Sequence, residues 1–168
     1  FGHHLTDVPE ALWDCSAGLP RYGVTRFLPT LITCPPEASD RALAVLEAGP
    51  PADHLGAGIP GFHFEGPYLH PDRIGAHDVR HLRAPDLGET GHWTRDNGVA
   101  LVTLAPERPG ALAMIERLVA SGVVVSAGHS TADFEEARRG FDAGIRYVTH
   151  LFNAMPGIHL RAPGLPAA

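Results

Sequence analysis

The chain has 168 residues, enough for about one domain, and its 44% hydrophobic and 19% charged residues indicate a folded core and exclude disorder. Its formal net charge is -6 and it has no basic run, which argues against nucleic acid and anionic membranes as partners. No stretch approaches the ~20 apolar residues of a membrane span, and the first residues do not resemble a secretion signal.

Short apolar runs alternate with helical patterns along the chain, and the spacing of the apolar residues separates the two kinds of element. The predicted elements, in chain order, are helix 9–23, strand 24–33, helix 36–49, strand 59–65, a long loop 66–85, a weak helix 86–98, strand 99–106, helix 109–122, strand 123–128, helix 133–144 and strand 146–150.

Strands that alternate with helices at this spacing predict right-handed βαβ units and a parallel sheet, within one domain over residues 1–168. Five such strands fit an open, doubly wound sheet or part of an eight-stranded (β/α)8 barrel, and periodicity does not distinguish these two architectures. The last eight residues end in a loop without a closing helix or strand, so we expect a fragment of a longer fold.

Three predicted strands end in residues that can bind a metal. Strand 59–65 ends at Glu65, with His63 two residues earlier on the same face. Of the next two candidates, His129 follows strand 123–128 and His150 ends strand 146–150. Because the carboxyl ends of parallel strands meet at one rim, we expect these side chains to lie together. Two histidines and a carboxylate are typical of a catalytic zinc-type site with an open position for water.

Each of these side chains also has a structural interpretation. A single histidine at a strand end is more often hydrogen-bonded within the protein than bound to a metal, and Glu65 could cap a loop through backbone N–H groups. The residues alone leave both interpretations open.

Other polar residues near the strand ends are weaker candidates. Ser130 adjoins His129 but lacks a G-x-S-x-G elbow, so we interpret it as part of the cap of the following helix. Glu107 follows a strand and could reach the rim, but we interpret it as an acid at the start of the next helix. His3 and His4 are interpreted as loop residues and are not assigned as ligands.

The basic residues and the cysteines limit the chemistry further. All thirteen basic residues are arginine, which excludes a Schiff-base lysine and a metal-bridging carboxylated lysine within this stretch. The only two cysteines, Cys15 and Cys34, are too few for a disulfide framework, as is typical of a cytoplasmic protein.

Several segments resemble a known family: "GFHFEGPYLHPDRIGAHD", "VTLAPE", "SAGHSTADFEEARRGFDAGI" and "THLFNAMPGIHLRAPG". In this order and spacing they resemble the N-acetylglucosamine-6-phosphate deacetylases of the amidohydrolase superfamily. The segment "YGVTRFLPTLIT" resembles the same family, so the likeness runs through nearly the whole chain.

The resemblance implies an α/β fold, a metal-dependent (β/α)8 TIM barrel with about five strands present here, beside a small β-sandwich domain that this chain lacks. It implies hydrolysis of N-acetylglucosamine 6-phosphate to glucosamine 6-phosphate and acetate, in amino-sugar catabolism and cell-wall recycling. It also implies a cytoplasmic homodimer and one divalent metal ion, with zinc expected first and iron, cobalt or manganese as alternatives.

Position by position, the resemblance implies that Glu65, His129 and His150 are metal ligands. It implies substrate contacts for five further residues: Ala76, His77, Asn153, Ala154 and Arg161. The last of these matches a phosphate-binding arginine. The family's general base, an aspartate, is expected beyond residue 168, so no catalytic residue is assigned in this stretch. Two alternatives stay open: an inactive fragment that only binds metal or sugar phosphate, and an amidohydrolase for another N-acyl sugar or a cyclic amide.

Overall fold

The structure, a computed structural model, describes residues 5–168, so His3 and His4 lie outside the described part. The strands β1 to β5 are Thr30–Ile32, Phe62–Glu65, Val99–Leu104, Val124–Ala127 and Tyr147–Val148. The α-helices α1 to α4 are Leu12–Gly18, Pro36–Ala48, Ala111–Ala120 and Phe134–Ala143. Short 3-10 helices occur at Pro9–Ala11, Leu19–Tyr22, Pro71–Arg73, Val79–His81 and Leu165–Ala167.

The five strands form one parallel sheet in the order β1-β2-β3-β4-β5. Every strand therefore pairs with the strand that precedes or follows it in the chain. A doubly wound sheet reverses its strand order at a switch point. In a barrel, each new strand instead pairs with the strand before it, always at the same edge of the growing sheet. The strand order decides between the two predicted architectures in favour of the barrel type, of which the chain supplies a five-stranded part.

One face of the sheet packs against the helices. Phe62 and Phe64 of β2 are buried in the same apolar cluster as Met114, Ile115 and Leu118 of α3. Burying side chains of this size stabilises the fold by roughly 1.5–3 kcal/mol each. The alternate residues of β2 point to the opposite face and are only partly buried, which leaves that face free for polar groups.

The start of α4 corrects the interpretation of Ser130 as a helix cap. The cap is Asp133, whose carboxylate accepts the backbone N–H of Glu136 at 2.8 Å, while the Glu136 carboxylate accepts the backbone N–H of Asp133 at 3.0 Å. Glu107 does not begin a helix either, because α3 starts four residues later at Ala111.

The predicted helix over 86–98 is wrong, because this segment forms a series of turns. Its polar side chains bind the backbone locally: Asp86 accepts the N–H of Gly88 at 2.8 Å, and Thr94 accepts the N–H of Asn97 at 3.1 Å. Such bonds compete with helical ones, and the glycines add conformational freedom. The predicted strand 24–33 is also shorter than expected: only Thr30–Ile32 pairs in the sheet, and Arg26 forms an isolated parallel bridge with Gly58. None of the helices in the described part combines the length and apolar character that crossing a membrane requires.

Candidate metal centre

Three side chains meet at the carboxyl end of the sheet. Glu65 is the last residue of β2, and His129 and His150 each follow β4 and β5 by two residues. Oε1 of Glu65 lies 3.0 Å from Nε2 of His129 and 3.2 Å from Nε2 of His150, and the two Nε2 atoms are 2.9 Å apart. The structure thus brings together the three predicted ligands, and within the described residues they form the one group with metal-binding potential.

The backbone at both histidines is left-handed. His129 has a φ of 49° and His150 a φ of 35°, a region that is uncommon for residues other than glycine and costs of order 1 kcal/mol or more. Each conformation is held by backbone hydrogen bonds: the carbonyl of His129 accepts the N–H of His70 at 2.9 Å, and that of His150 accepts the N–H of Asn153 at 2.8 Å. Turning the chain sharply after each strand directs both imidazoles toward Glu65.

The ring nitrogens of the two histidines are set for metal binding. Nδ1 of His129 lies 2.7 Å from the carbonyl oxygen of Arg73, and Nδ1 of His150 lies 3.2 Å from that of Asn153. A carbonyl oxygen only accepts, so each Nδ1 donates its proton and each neutral ring keeps a lone pair on Nε2. Metal-bound histidines are commonly fixed in this way by a backbone carbonyl.

The convergence of these groups fits a cation. Two lone pairs and a carboxylate about 3 Å apart repel one another unless a proton or a metal cation lies between them. Ligands bonded tetrahedrally to a zinc ion at ~2.0–2.2 Å would be separated by roughly 3.3 Å, close to the separations observed. Side-chain exposure rises from 6% at His129 to 34% at His150, so the group is open to solvent on one side.

Hydrogen bonding shifts the proton equilibria of this group. The hydrogen bond with His129, helped by the nearby His77, holds the pKa of the Glu65 carboxyl far below its ordinary range, although burial acts to raise it. Burial acts to lower the pKa of His129, but the hydrogen bonds with Glu65 and with the Arg73 carbonyl outweigh it and leave that pKa raised. The site therefore favours a carboxylate anion that is compensated by positive charge.

His77 is oriented in the opposite sense to the two other histidines. Its Nδ1 accepts the backbone N–H of Thr33 at 3.1 Å, so in the neutral ring the proton is on Nε2. That Nε2 lies 3.9 Å from Oε1 of Glu65, and the ring stacks edge-on against His129 with centroids 4.5 Å apart. His77 thus presents an N–H donor beside the candidate metal ligands, with the exposed Ala76 next to it on the same loop.

The other predicted substrate residues lie in the loop after β5. Asn153 and Ala154 belong to the turn that holds His150, and the carbonyl of Ala154 accepts the N–H of Ser130 at 3.1 Å. Arg161 is exposed in the last loop, where its backbone N–H donates to Nδ1 of His159 at 3.2 Å. The structure joins the first two residues to the metal group and shows no contact that joins the arginine to it.

His63, the further candidate, belongs to a row of hydroxyl groups on the inner face of the sheet. Its Nδ1 lies 3.0 Å from Oγ1 of Thr30, and its Nε2 lies 2.7 Å from Oγ1 of Thr103. Thr149 continues the row, 2.7 Å from both Thr103 and Ser126. Both ring nitrogens of His63 are therefore engaged by threonines, one layer below the three convergent groups.

One contact at the rim escaped the sequence analysis, and for Glu107, which the sequence placed within reach of the rim, the partner was missed. The carbonyl of Arg73 holds His129, and backbone carbonyls leave no sequence signal. Glu107 accepts hydrogen bonds from the residues that follow His129, and its position directly after the predicted strand 99–106 was the available signal.

No family model matches the chain, but individual proteins do. The N-acetylglucosamine-6-phosphate deacetylase of Danio rerio is 41% identical over 174 residues, which cover 98% of this chain and 42% of that protein. The N-acetylgalactosamine-6-phosphate deacetylase of Shewanella sp. (strain ANA-3) is 43% identical over 150 residues, which cover 88% of this chain and 37% of that protein.

Solved structures give the same result. One match is the N-acetyl-D-glucosamine-6-phosphate deacetylase of Mycobacterium smegmatis, solved as an aspartate-to-alanine mutant in complex with N-acetyl-D-glucosamine-6-phosphate. The TM-score is 0.76 and the sequence identity 40%, and the match covers 96% of this chain and 40% of that one. The chain spans about two fifths of the length of the curated relatives it matches. By sequence and by structure, the chain belongs to the family of the N-acetylglucosamine-6-phosphate deacetylases.

Proposed function

We propose that the full-length protein hydrolyses the N-acetyl group of N-acetylglucosamine 6-phosphate and releases glucosamine 6-phosphate and acetate. The observation that carries this proposal is the convergence of Glu65, His129 and His150 on one point at the strand ends. The names of relatives about 40% identical to this chain supply the substrate.

We assign Glu65, His129 and His150 as ligands of one divalent ion, zinc first, with iron, cobalt or manganese as alternatives that suit the same donors. When bound, such an ion supplies Lewis acidity toward a carbonyl oxygen and lowers the pKa of a water molecule. The chain's own contribution is to hold two lone pairs and one carboxylate in place before the ion arrives, through the carbonyls of Arg73 and Asn153.

The substrate contacts follow from the donors at the rim. His77 offers its Nε2–H to an acceptor beside the ligands, either the amide carbonyl or a sugar hydroxyl, because its Nδ1 is held by Thr33. We assign the phosphate to Asn153, Ala154 and Arg161, since amide donors and a planar guanidinium suit phosphate oxygens.

Proton transfer needs a base that this stretch does not assign. We propose an aspartate elsewhere in the full-length protein, which would remove a proton from water and later protonate the leaving amine. An aspartate mutant of the Mycobacterium smegmatis relative holds the intact sugar phosphate, as expected when such a group is lost. We further propose a barrel domain completed by segments outside this chain, a small β-sandwich domain, a homodimer and a cytoplasmic location.

The experiment is metal analysis and acetate release on the full-length protein and its His129→Ala variant. We expect the variant to lose metal and activity together. The matched control is His92→Ala, an exposed histidine whose ring pairs with Asp40 and lies outside the metal group. A His129→Ala variant with undiminished metal content and rate would remove the assignment.

A second substrate has support from one comparison, because the Shewanella relative bears the name of the galactosamine epimer. Acetate release should be compared for both N-acetylhexosamine 6-phosphates, for the sugars without phosphate and for a cyclic amide. Equal rates with and without the phosphate would refute the role assigned to Arg161. The 168-residue chain assayed by itself tests the alternative of an inactive piece that binds the metal without turnover.

A further inference from the structure

The Glu107 carboxylate is bound to the loop that follows His129. Oε2 accepts the hydroxyl of Ser130 at 2.7 Å, and Oε1 accepts the backbone N–H of Thr131 at 2.6 Å and its hydroxyl at 3.2 Å. All three donors thus belong to the two residues directly after His129. Within the described residues, Glu107 forms no ion pair with an arginine or histidine, so these donors are its compensation.

The other hydrogen bonds of this loop involve its backbone and the hydroxyl of Ser130. Ser130 is fully buried; its N–H donates to the carbonyl of Ala154, and its hydroxyl oxygen accepts the N–H of Ala132 at 3.0 Å. The first regular helical hydrogen bonds come only with α4, which is capped separately by Asp133. Between β4 and α4, the Glu107 carboxylate accepts three hydrogen bonds from two consecutive residues and so ties this segment to the end of β3.

The φ of 49° at His129 is unfavourable for a residue with a Cβ atom, so the bonds of Glu107 add to that of the His70 N–H in holding this conformation. A relaxed backbone at this residue would turn the imidazole away from Glu65 and from the Arg73 carbonyl. The two oxygens of the Glu107 side chain reach all three donors at once, so this side chain is well placed to hold the loop in this conformation.

We propose that Glu107 is a positioning residue for the metal site, which acts through Ser130 and Thr131 to keep Nε2 of His129 directed at the cation. The inference rests on the metal site of the proposed function. It predicts that the reach of this side chain, and not its charge, sustains metal affinity.

The test compares Zn²⁺ affinity, measured by competition with a chelator, in four variants of the full-length protein. Glu107→Ala should bind Zn²⁺ about 10–100-fold more weakly, the range seen when a group that orients a metal ligand is lost. Glu107→Gln keeps an acceptor oxygen at the same reach and should stay within about threefold. Glu107→Asp keeps the charge but withdraws it by one methylene and should lose more affinity than the glutamine variant. Glu116→Ala, an exposed glutamate on α3, is the matched control and should not change affinity.

The order of the two conservative variants decides the inference even if Glu107→Ala does not fold. A carboxylate that acted on the cation through its charge would give the reverse order, with the aspartate variant retaining affinity and the glutamine variant losing it. The visible absorption spectrum of the Co²⁺ form should shift in Glu107→Asp, because the His129 ligand is displaced. An unchanged affinity and spectrum in Glu107→Asp overturns the proposal, whereas a wild-type protein that binds no metal overturns the proposed function instead.

Discussion

Gly128 lies between two threonines at the rim, and its replacement by alanine is a sharp test of how the ligands are packed. A Cβ atom there would lie 2.8 Å from Cγ2 of Thr103 and 3.0 Å from Cβ of Thr149. Neither group can yield freely, because Thr103 is fully buried and both hydroxyls are hydrogen-bonded to each other. Gly128 does not have a positive φ, so the effect is steric and not conformational.

We expect Gly128→Ala to lower the free energy of unfolding by about 1–3 kcal/mol, the usual cost of inserting a methyl group into a packed site. We also expect Zn²⁺ affinity to fall by about 10-fold, because a displaced Thr149 moves the adjacent His150. Urea denaturation of the metal-free protein measures the first effect, and chelator competition measures the second.

The matched control is Gly157→Ala in the exposed loop after β5. A Cβ atom at Gly157 would have no neighbour within 4 Å, so this variant should keep the stability and metal affinity of the unchanged protein. If Gly128→Ala matched this control in both measurements, the rim would be looser than the structure shows, and the argument from packing would fail.

Three further predictions concern single groups. Burial raises the pKa of the Cys34 thiol to about 11, so alkylation of the native protein should be slow at pH ~8 and accelerate as the pH rises toward 11. Mass spectrometry measures the labelling, and fast labelling at pH ~8 would contradict the burial of this thiol. Asp133→Ala removes the cap of α4 and should lower the free energy of unfolding, measured by urea denaturation, by about 0.5–2 kcal/mol. A decrease no larger than that of Glu116→Ala would show that the cap does not stabilise the fold. His63→Gln should lower the free energy of unfolding by about 1–3 kcal/mol, because Thr103 loses a buried hydrogen-bond partner. The metal content should stay the same, and its loss would show that His63 is a ligand.

Periodic segments could be predicted from the sequence because local and tertiary preferences agree in them. The apolar stripe of α3 has the helical repeat and packs on the sheet as that repeat implies, and the acids "DFEE" mark the start of α4. The rule that parallel strands end at one rim was enough to place Glu65, His129 and His150 together.

The features that escaped prediction depend on partners distant in the chain. The choice between a barrel and a doubly wound sheet required the strand order, which periodicity does not contain. The partner of Glu107 lies 23 residues away, so a local interpretation assigned it to the nearest helix. The turns of 86–98 arose from side-chain bonds to the backbone, which outweighed a weak helical pattern.

The left-handed backbone at His129 and His150 constrains how this site can evolve toward other metals. Aspartate and asparagine adopt this conformation at least as readily as histidine, whereas cysteine and the β-branched residues do not share that preference. Exchanging nitrogen donors for oxygen donors is therefore a short mutational path that leads toward harder ions such as manganese. A cysteine at either position would carry a backbone strain of about 1–3 kcal/mol, which disfavours thiolate donors and the soft metals that they select.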